Sequence, residues 1–521
     1  MKQKKILNIL LFLILFSATT FAQTGKIPSN AKAGLSADST SQSLLKPQKS
    51  ITQGSVTVEG TRINYQAVAG TLILKNKDDK PTCSMFYTAY FKDGVSDESQ
   101  RPVTFIYNGG PGSSTLWLHM GAWGPQRAVI KDTEKILPPY KTVNNDYSLL
   151  DASDLVFIDA PGTGFSRIIT KEDGGAGTTK DFYGIDPDGE AFAQFITRFL
   201  SDYDRWESPK YLFGESYGTF RSAVLSNILE TRDNVDLNGV ILLSQLFSYI
   251  NMSDIAERDP GNNNLAYELS LPSAAATAWY YHKVPNQPAQ LEPFLKEVEQ
   301  FAMHDYALAL LQGSLLDSNT FNQIAEKIHQ FTGLSVSYIR KSNLRISGPQ
   351  FEKMILSDEN KVTGRLDTRF QGFEMDPLSK TPMYDPHSAT FSSAFVGAFN
   401  NYMRTDLKFG MGMTYYPEPN SIIRQWNFKH GPFASFPNVM PDLAQAMIYN
   451  PKLKVMLNMG YFDLGTPFFQ GEYEMHHLPI PNALQKNISY EHYYSGHMVY
   501  LNIPVLKQLH DNVAKFINST H

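Results

Sequence analysis

The chain of 521 residues contains one cysteine, Cys83. No intrachain disulfide can form, so the fold must hold by packing even in a compartment where such bonds persist. Cys83 lies in the strand-like run Cys83-Ser84-Met85-Phe86-Tyr87-Thr88-Ala89-Tyr90-Phe91 and is expected to be an ordinary buried thiol, not a nucleophile. An excess of positive charge is missing too. Lysine and arginine number 46 against 51 aspartates and glutamates, a net charge of -5, or about -8 without Lys2, Lys4 and Lys5. That balance argues against nucleic acid or an anionic membrane surface as a partner and leaves a small or peptidic substrate open. Long apolar runs are absent as well. The run from Ile6 to Phe16 is about 11 residues and is interrupted by Asn8, too few to cross ~30 Å of hydrocarbon at ~1.5 Å per residue. Internal repeats are not evident.

What is present begins with that run. Lysines 2, 4 and 5, the apolar stretch and the small residues leading to Ala22 have the order of a secretory signal cut near Ala22. The expected destination is outside the cell or in the periplasm, with no stable membrane insertion after cleavage. No cysteine near the cut would take a lipid. Residues 23–50 are rich in Ser, Lys, Gln, Ala and Thr without apolar periodicity and read as a disordered leader.

The body has 42% hydrophobic and 12% aromatic residues over the whole chain, enough for one large core plus an insertion or for two domains. From Ser55 to Phe91, β-favouring runs punctuated by Gly60, Gly70 and Asp78-Asp79 suggest antiparallel strands. Short continuous apolar runs follow: Val103–Tyr107, Leu155–Ile158, Tyr211–Phe213, Val240–Leu243 and Val455–Leu457. Such runs fit a sheet covered on both faces, and the helical segments between them make it parallel. The expected class is α/β, with a mostly parallel central sheet. About 200 residues before the last run break the rhythm, and Leu291 to Gln312 and Asn322 to Phe331 have helical spacing. The expected layout is core over 51–250, an inserted, largely helical cap over 251–400, and core again over 401–521.

The sharpest motif is Gly214-Glu215-Ser216-Tyr217-Gly218, between the run Tyr211–Phe213 and a helix-compatible segment. Strand, Gly-x-Ser-x-Gly, helix is the context of a nucleophile elbow, with Ser216 on a turn too tight for a Cβ at 214 or 218. A hydroxyl needs a base to take its proton and a third group to orient the base. In this fold the chain order is Ser, acid, His. Asp463, in Gly460-Tyr461-Phe462-Asp463, follows the last strand run, and His497, in Ser495-Gly496-His497-Met498, follows a small-residue turn. His492 is the nearest rival to His497. The pair His476-His477 points apart and lacks the spacing of a helical zinc site, and no metal or cofactor is expected. The loop Asn108-Gly109-Gly110-Pro111-Gly112-Ser113-Ser114 matches no phosphate-binding pattern, and its glycines allow close backbone approach. Backbone N–H groups of Gly110 and Tyr217 are the candidate oxyanion donors.

Together with Asp159-Ala160-Pro161-Gly162-Thr163-Gly164-Phe165-Ser166, and Asp463 with Pro467 four residues later, these motifs resemble the serine carboxypeptidase family in order and over about residues 100 to 500. The resemblance implies an α/β-hydrolase core with a helical cap, in an exported, bacterial-type member that acts on peptides. It implies that Asn108 and Glu215 bind the substrate's terminal carboxylate, that Gly110 and Tyr217 donate to the oxyanion, and that Met498 walls the leaving-residue pocket. A carboxyl can bind a carboxylate only when one of them is protonated, which burial of Glu215 would favour. Three positions depart from the family's pattern. Ser113 stands where a disulfide-forming cysteine is usual, Ala122 where a glutamate is usual, and Tyr461 where an acid precedes the triad aspartate by two. Ala122 implies a smaller carboxylate network, with the high-pH loss of activity nearer the ordinary glutamate value. An esterase or acyltransferase with the same triad, an aminopeptidase or dipeptide-releasing enzyme, and an inactive binding module remain alternatives. Oligomeric state is not legible.

Overall fold

The computed structural model describes residues 44–256, 263–431 and 436–521. The expected signal, 1–22, and most of the leader lie outside the described residues. Nine strands form one sheet: β1 (Lys49–Val58), β2 (Thr61–Lys75), β3 (Pro81–Lys92), β4 (Val103–Tyr107), β5 (Asp154–Ile158), β6 (Lys210–Glu215), β7 (Gly239–Leu243), β8 (Lys454–Gly460) and β9 (Ile488–Tyr493). Their spatial order is β1-β2-β3-β5-β4-β6-β7-β8-β9, with the two-residue strand Arg167–Ile168 on β3. From β5 onward every pairing is parallel, and β1, β2, β3 and β5 are joined antiparallel. The chain therefore has the expected α/β class with a mostly parallel sheet.

Strands β4 to β7 are buried along their whole length because both faces are covered. Leu212, Val240, Leu242, Val455 and Leu457 point to one core, and Tyr211, Phe213, Ile241, Leu243 and Met456 to the other. The first face carries α1 (Ile185–Asp202) and α2 (Tyr217–Thr231), and its apolar cluster continues into the insertion through α3 (Leu265–Tyr280), α4 (Leu291–Phe301) and α5 (Ser318–Thr332). The second face carries α6 (Pro386–Thr405) and, after α7 (Met440–Tyr449) and α8 (Phe468–His476), the last helix α9 (Ile503–Ser519). The insertion also holds a two-stranded ribbon, Lys361–Thr363 against Gln371–Phe373.

Two expected boundaries differ from the structure. Strand β1 starts inside the expected leader, with Lys49 and Ser50 opposite Gly70 and Ala69 and Gln48 O accepting from Thr71 N. Its alternating, half-exposed pattern is that of an edge strand, which polar composition disguises. The expected cap end at residue 400 falls inside α6, a continuous helix whose Phe391, Phe395, Phe399 and Met403, four apart, join the core. Strand β9 went unread because most of Ile488–Tyr493 is only half buried. Cys83 is fully buried. No helix among the described residues is long and apolar enough to cross a membrane.

Candidate active site

Ser216 is the single residue between β6 and α2, with φ +59° and ψ -130°, a conformation costly for a residue with a Cβ. The turn persists because its surroundings fix it. Ser216 N donates to Leu243 O at 3.0 Å. A Cβ on Gly214 would stand 2.2 Å from Gly218 O, and one on Gly218 would stand 2.8 Å from Tyr107 O, so both positions require glycine. Tyr217 is the first residue of α2, and its N–H has no intrahelical acceptor. Its side chain is buried against Phe220 and Trp426, so only its backbone bears on the site.

The glycine loop after β4 lies directly on this turn. A Cβ on Gly109 would be 2.4 Å from Tyr217 N, and Gly110 has φ +105°. Asn108 is buried, and its Oδ1 accepts from Leu118 N at 3.1 Å, which leaves the amide NH2 to face Glu215 and Tyr500. Arg221 donates to Asn108 O at 2.7 Å and pairs with Asp188 at 2.7 Å, both charges fully buried, tying the loop to α1 and α2. Asp159 accepts from Thr115 N at 2.8 Å and from Tyr415 Oη at 3.2 Å, bracing the loop's far end. Where the family's cysteine is missing, Ser113 Oγ accepts from Trp117 Nε1 at 2.8 Å.

Asp463 and His497 meet behind the serine. His497 Nδ1 to Asp463 Oδ2 is 2.6 Å, and both residues are buried. Asp463 Oδ1 accepts from the N–H groups of Gly465 and Thr466 at 2.8 and 2.9 Å, and its Oδ2 from Thr466 Oγ1 at 2.7 Å. Burial pulls His497 down, but Asp463 and, more weakly, Glu215 outweigh it and hold the imidazole above its ordinary value. His492 is elsewhere, on β9, against Glu472 at 2.7 Å and stacked on Tyr461. His476 stacks on Tyr490, and His477 bonds Tyr473 O. Among the described residues, Glu59, His510 and Asp511 are a carboxylate and histidine grouping tight enough for an ion, but Lys507 already pairs with both acids.

Glu215 is 3% exposed, and its Oε2 has no hydrogen-bond partner. Burial raises its carboxyl to about 7, against the opposing pull of His497, Tyr500 and Asn108. Tyr500, which sequence reasoning missed, lies against Gly121, where a Cβ would come within 2.5 Å of its ring. Asn108, Gly110, Glu215, Ser216, His497 and Met498 line one cavity of about 150 Å³, with Trp117, Phe391, Arg365 and Glu418 around them. Asp463 sits outside this lining, behind His497. Arg365 and Glu418 were also missed, since neither lies in a motif with a readable spacing, and so was Thr466, which stands between Asp463 and Pro467 with no role that the spacing specifies.

A serine on a strained strand-to-helix turn, a histidine bonded to an aspartate after the next strands, and a glycine loop against the helix start define the site of an α/β-hydrolase. Residues 59–500 match the family model described as serine carboxypeptidase, and the chain belongs to that family. A carboxypeptidase Y homolog A from Phaeosphaeria nodorum is 28% identical over 174 residues, 32% of this chain and 27% of the relative. Serine carboxypeptidase-like 36 from Arabidopsis thaliana is 26% identical over 172 residues, 32% of each. The chain thus spans about a third or less of these relatives' length. A prohormone-processing carboxypeptidase from Saccharomyces cerevisiae superposes with TM-score 0.54 at 16% identity, covering 87% of this chain and 92% of its own, and shares the fold.

Proposed function

We propose that the protein is an exported serine-type carboxypeptidase that releases C-terminal residues from peptides. The observation that carries this reading is Glu215, a buried carboxyl with an unpartnered oxygen, in the same cavity as Ser216 and beside the amide of Asn108. An endopeptidase or esterase has no use for a protonated acid there, whereas a free peptide terminus needs a neutral partner to offset the cost of its burial.

The steps follow from the groups present. The terminal carboxylate accepts from protonated Glu215 and from the Asn108 amide. Ser216 Oγ attacks the scissile carbonyl while neutral His497 takes its proton, and the N–H groups of Gly110 and Tyr217 hold the oxyanion. His497 passes the proton to the departing amine, which leaves past Met498 as a free amino acid. Water, deprotonated by the same imidazole, then releases the shortened peptide from the acyl-enzyme.

The deciding experiment compares one blocked dipeptide as free acid, C-terminal amide and ester. The free acid is expected to have the highest kcat/KM relative to its uncatalysed rate. A preference for the ester with indifference between acid and amide would leave an esterase in its place.

A further inference from the structure

Residues 364–370 belong to the insertion, yet they run between the loops that carry Asp463 and His497. On the aspartate side, Leu464 N donates to Arg365 O at 3.1 Å and Thr368 N to Phe462 O at 2.9 Å. On the histidine side, His497 N donates to Leu366 O at 2.7 Å, and Gly496 N to Asp367 Oδ2 at 3.1 Å. Gly496 is what permits that last bond: a Cβ there would stand 2.4 Å from Asp367 Cβ.

The side chains at the centre are charged and buried. Asp367 is 0% and Arg369 5% exposed, and the guanidinium grips the carboxylate with Nε at 3.0 Å and Nη2 at 2.6 Å. Two further donors go to Tyr494 O at 3.3 Å and Ser495 Oγ at 3.1 Å, on the two residues that lead to Gly496 and His497. A planar fork with five donors can hold a carboxylate and a neighbouring loop at once, which an ammonium cannot. The core holds His497 from the other side, through Ser244 Oγ to His497 O at 2.7 Å.

We propose that Asp367 and Arg369 are positioning residues that hold His497 in register with Asp463, so that the insertion braces the triad and is not a lid hinged above it. The proposal rests on the triad reading given above. Its logic is geometric: the short Nδ1 to Oδ2 contact tolerates little displacement, and the main chain of His497 and Gly496 is fixed by the insertion on one side. A displacement of ~1 Å in a catalytic group is enough to cost about a hundredfold in rate.

The test uses the full chain in two variants. Arg369→Lys keeps the charge opposite Asp367 and loses the fork. Asp367→Leu with Arg369→Met replaces the pair by apolar groups of similar size, a change buried ion pairs commonly survive. Rates are normalised to sites titrated with a fluorophosphonate, so unfolded protein does not count. We expect kcat to fall about tenfold in the first variant and about a hundredfold in the second, with KM within about twofold. The downfield proton resonance of His497 Nδ1 should shift or broaden in both, and the rising limb of kcat/KM against pH should move to lower pH. If the double variant does not fold, Arg369→Lys alone decides. Normal kcat per titrated site with an unchanged resonance overturns the proposal, as does a loss confined to thermal stability. The resonance needs no substrate, so it tests the brace even if the carboxypeptidase reading fails.

Discussion

Glu215 offers the most discriminating perturbation of the proposed function, in which one proton decides whether it attracts or repels the substrate's terminus. Burial moves its carboxyl from an ordinary 4.5 to about 7, a preference for the neutral form on the order of 3 kcal/mol. The second acid that Ala122 displaces is not needed for this: desolvation alone is the leading cause, so the alkaline loss is expected near neutrality and not near the ordinary glutamate value. Because kcat/KM reports the free enzyme, its value for a free-acid dipeptide should fall about tenfold between roughly pH 6 and 8 relative to the amide, and about tenfold more by roughly pH 9. The rising limb for both substrates follows His497, which must lose its proton to act as base and whose value stands above the ordinary one. Glu215→Gln keeps a donor and removes the titration. The alkaline fall for the acid should disappear, and the rising limb for both substrates should shift to lower pH, since the anion that helps hold His497 up is gone. The assay is kcat/KM from about pH 5 to 9 for the acid and amide of one blocked dipeptide, in wild type and variant. Superimposable profiles for acid and amide in the wild type would refute the reasoning.

Ser216→Ala should abolish turnover and fluorophosphonate labelling while leaving the thermal midpoint nearly unchanged, since it removes one half-buried hydroxyl and no core volume; a folded variant with normal turnover would exclude Ser216. His497→Ala should match that loss, and the double variant should be no slower than either, because nucleophile and base act as one unit; steady-state rates of all three check this. Thr466→Val removes the hydroxyl bonded to Asp463 at 2.7 Å, and the loss of ~1.5–3 kcal/mol for a hydrogen bond to a charge should lower kcat about ten- to a hundredfold with KM little changed. Gly109→Ala would place a Cβ 2.4 Å from Tyr217 N and, by pushing the glycine loop off the helix start, should cost about a hundred- to a thousandfold in kcat, as loss of an oxyanion donor does.

Much of this was written along the chain. Continuous apolar runs identified five of the parallel strands, since a strand covered on both faces has no polar side to interrupt it. The glycines at 109, 110, 214 and 218 marked the places where backbone meets backbone, because close approach excludes every other residue. Asn108, Gly110, Glu215, Ser216, His497 and Met498, which line the cavity, stood in motifs for the same reason: each sits at a strand end or turn whose local geometry a short spacing specifies. The first part of edge strand β1, residues 49–54, and all of edge strand β9 were not legible, because half-exposed strands carry polar residues on one face and lose the apolar signal.

Tertiary structure alone decided the rest. Thr466 touches both Asp463 and His497, yet nothing in its own neighbourhood distinguishes it from any turn threonine. Asp367 and Arg369 reach the histidine loop from more than 120 residues away, and only the fold brings them there. The protonation of Glu215 was readable as a possibility from its place beside the serine, but its value depends on how completely other elements remove water from it. Sequence determines local geometry because a few neighbouring dihedrals and contacts suffice. Burial, charge pairing and the bracing of one loop by another are sums over distant residues, and they exist only once the chain has packed.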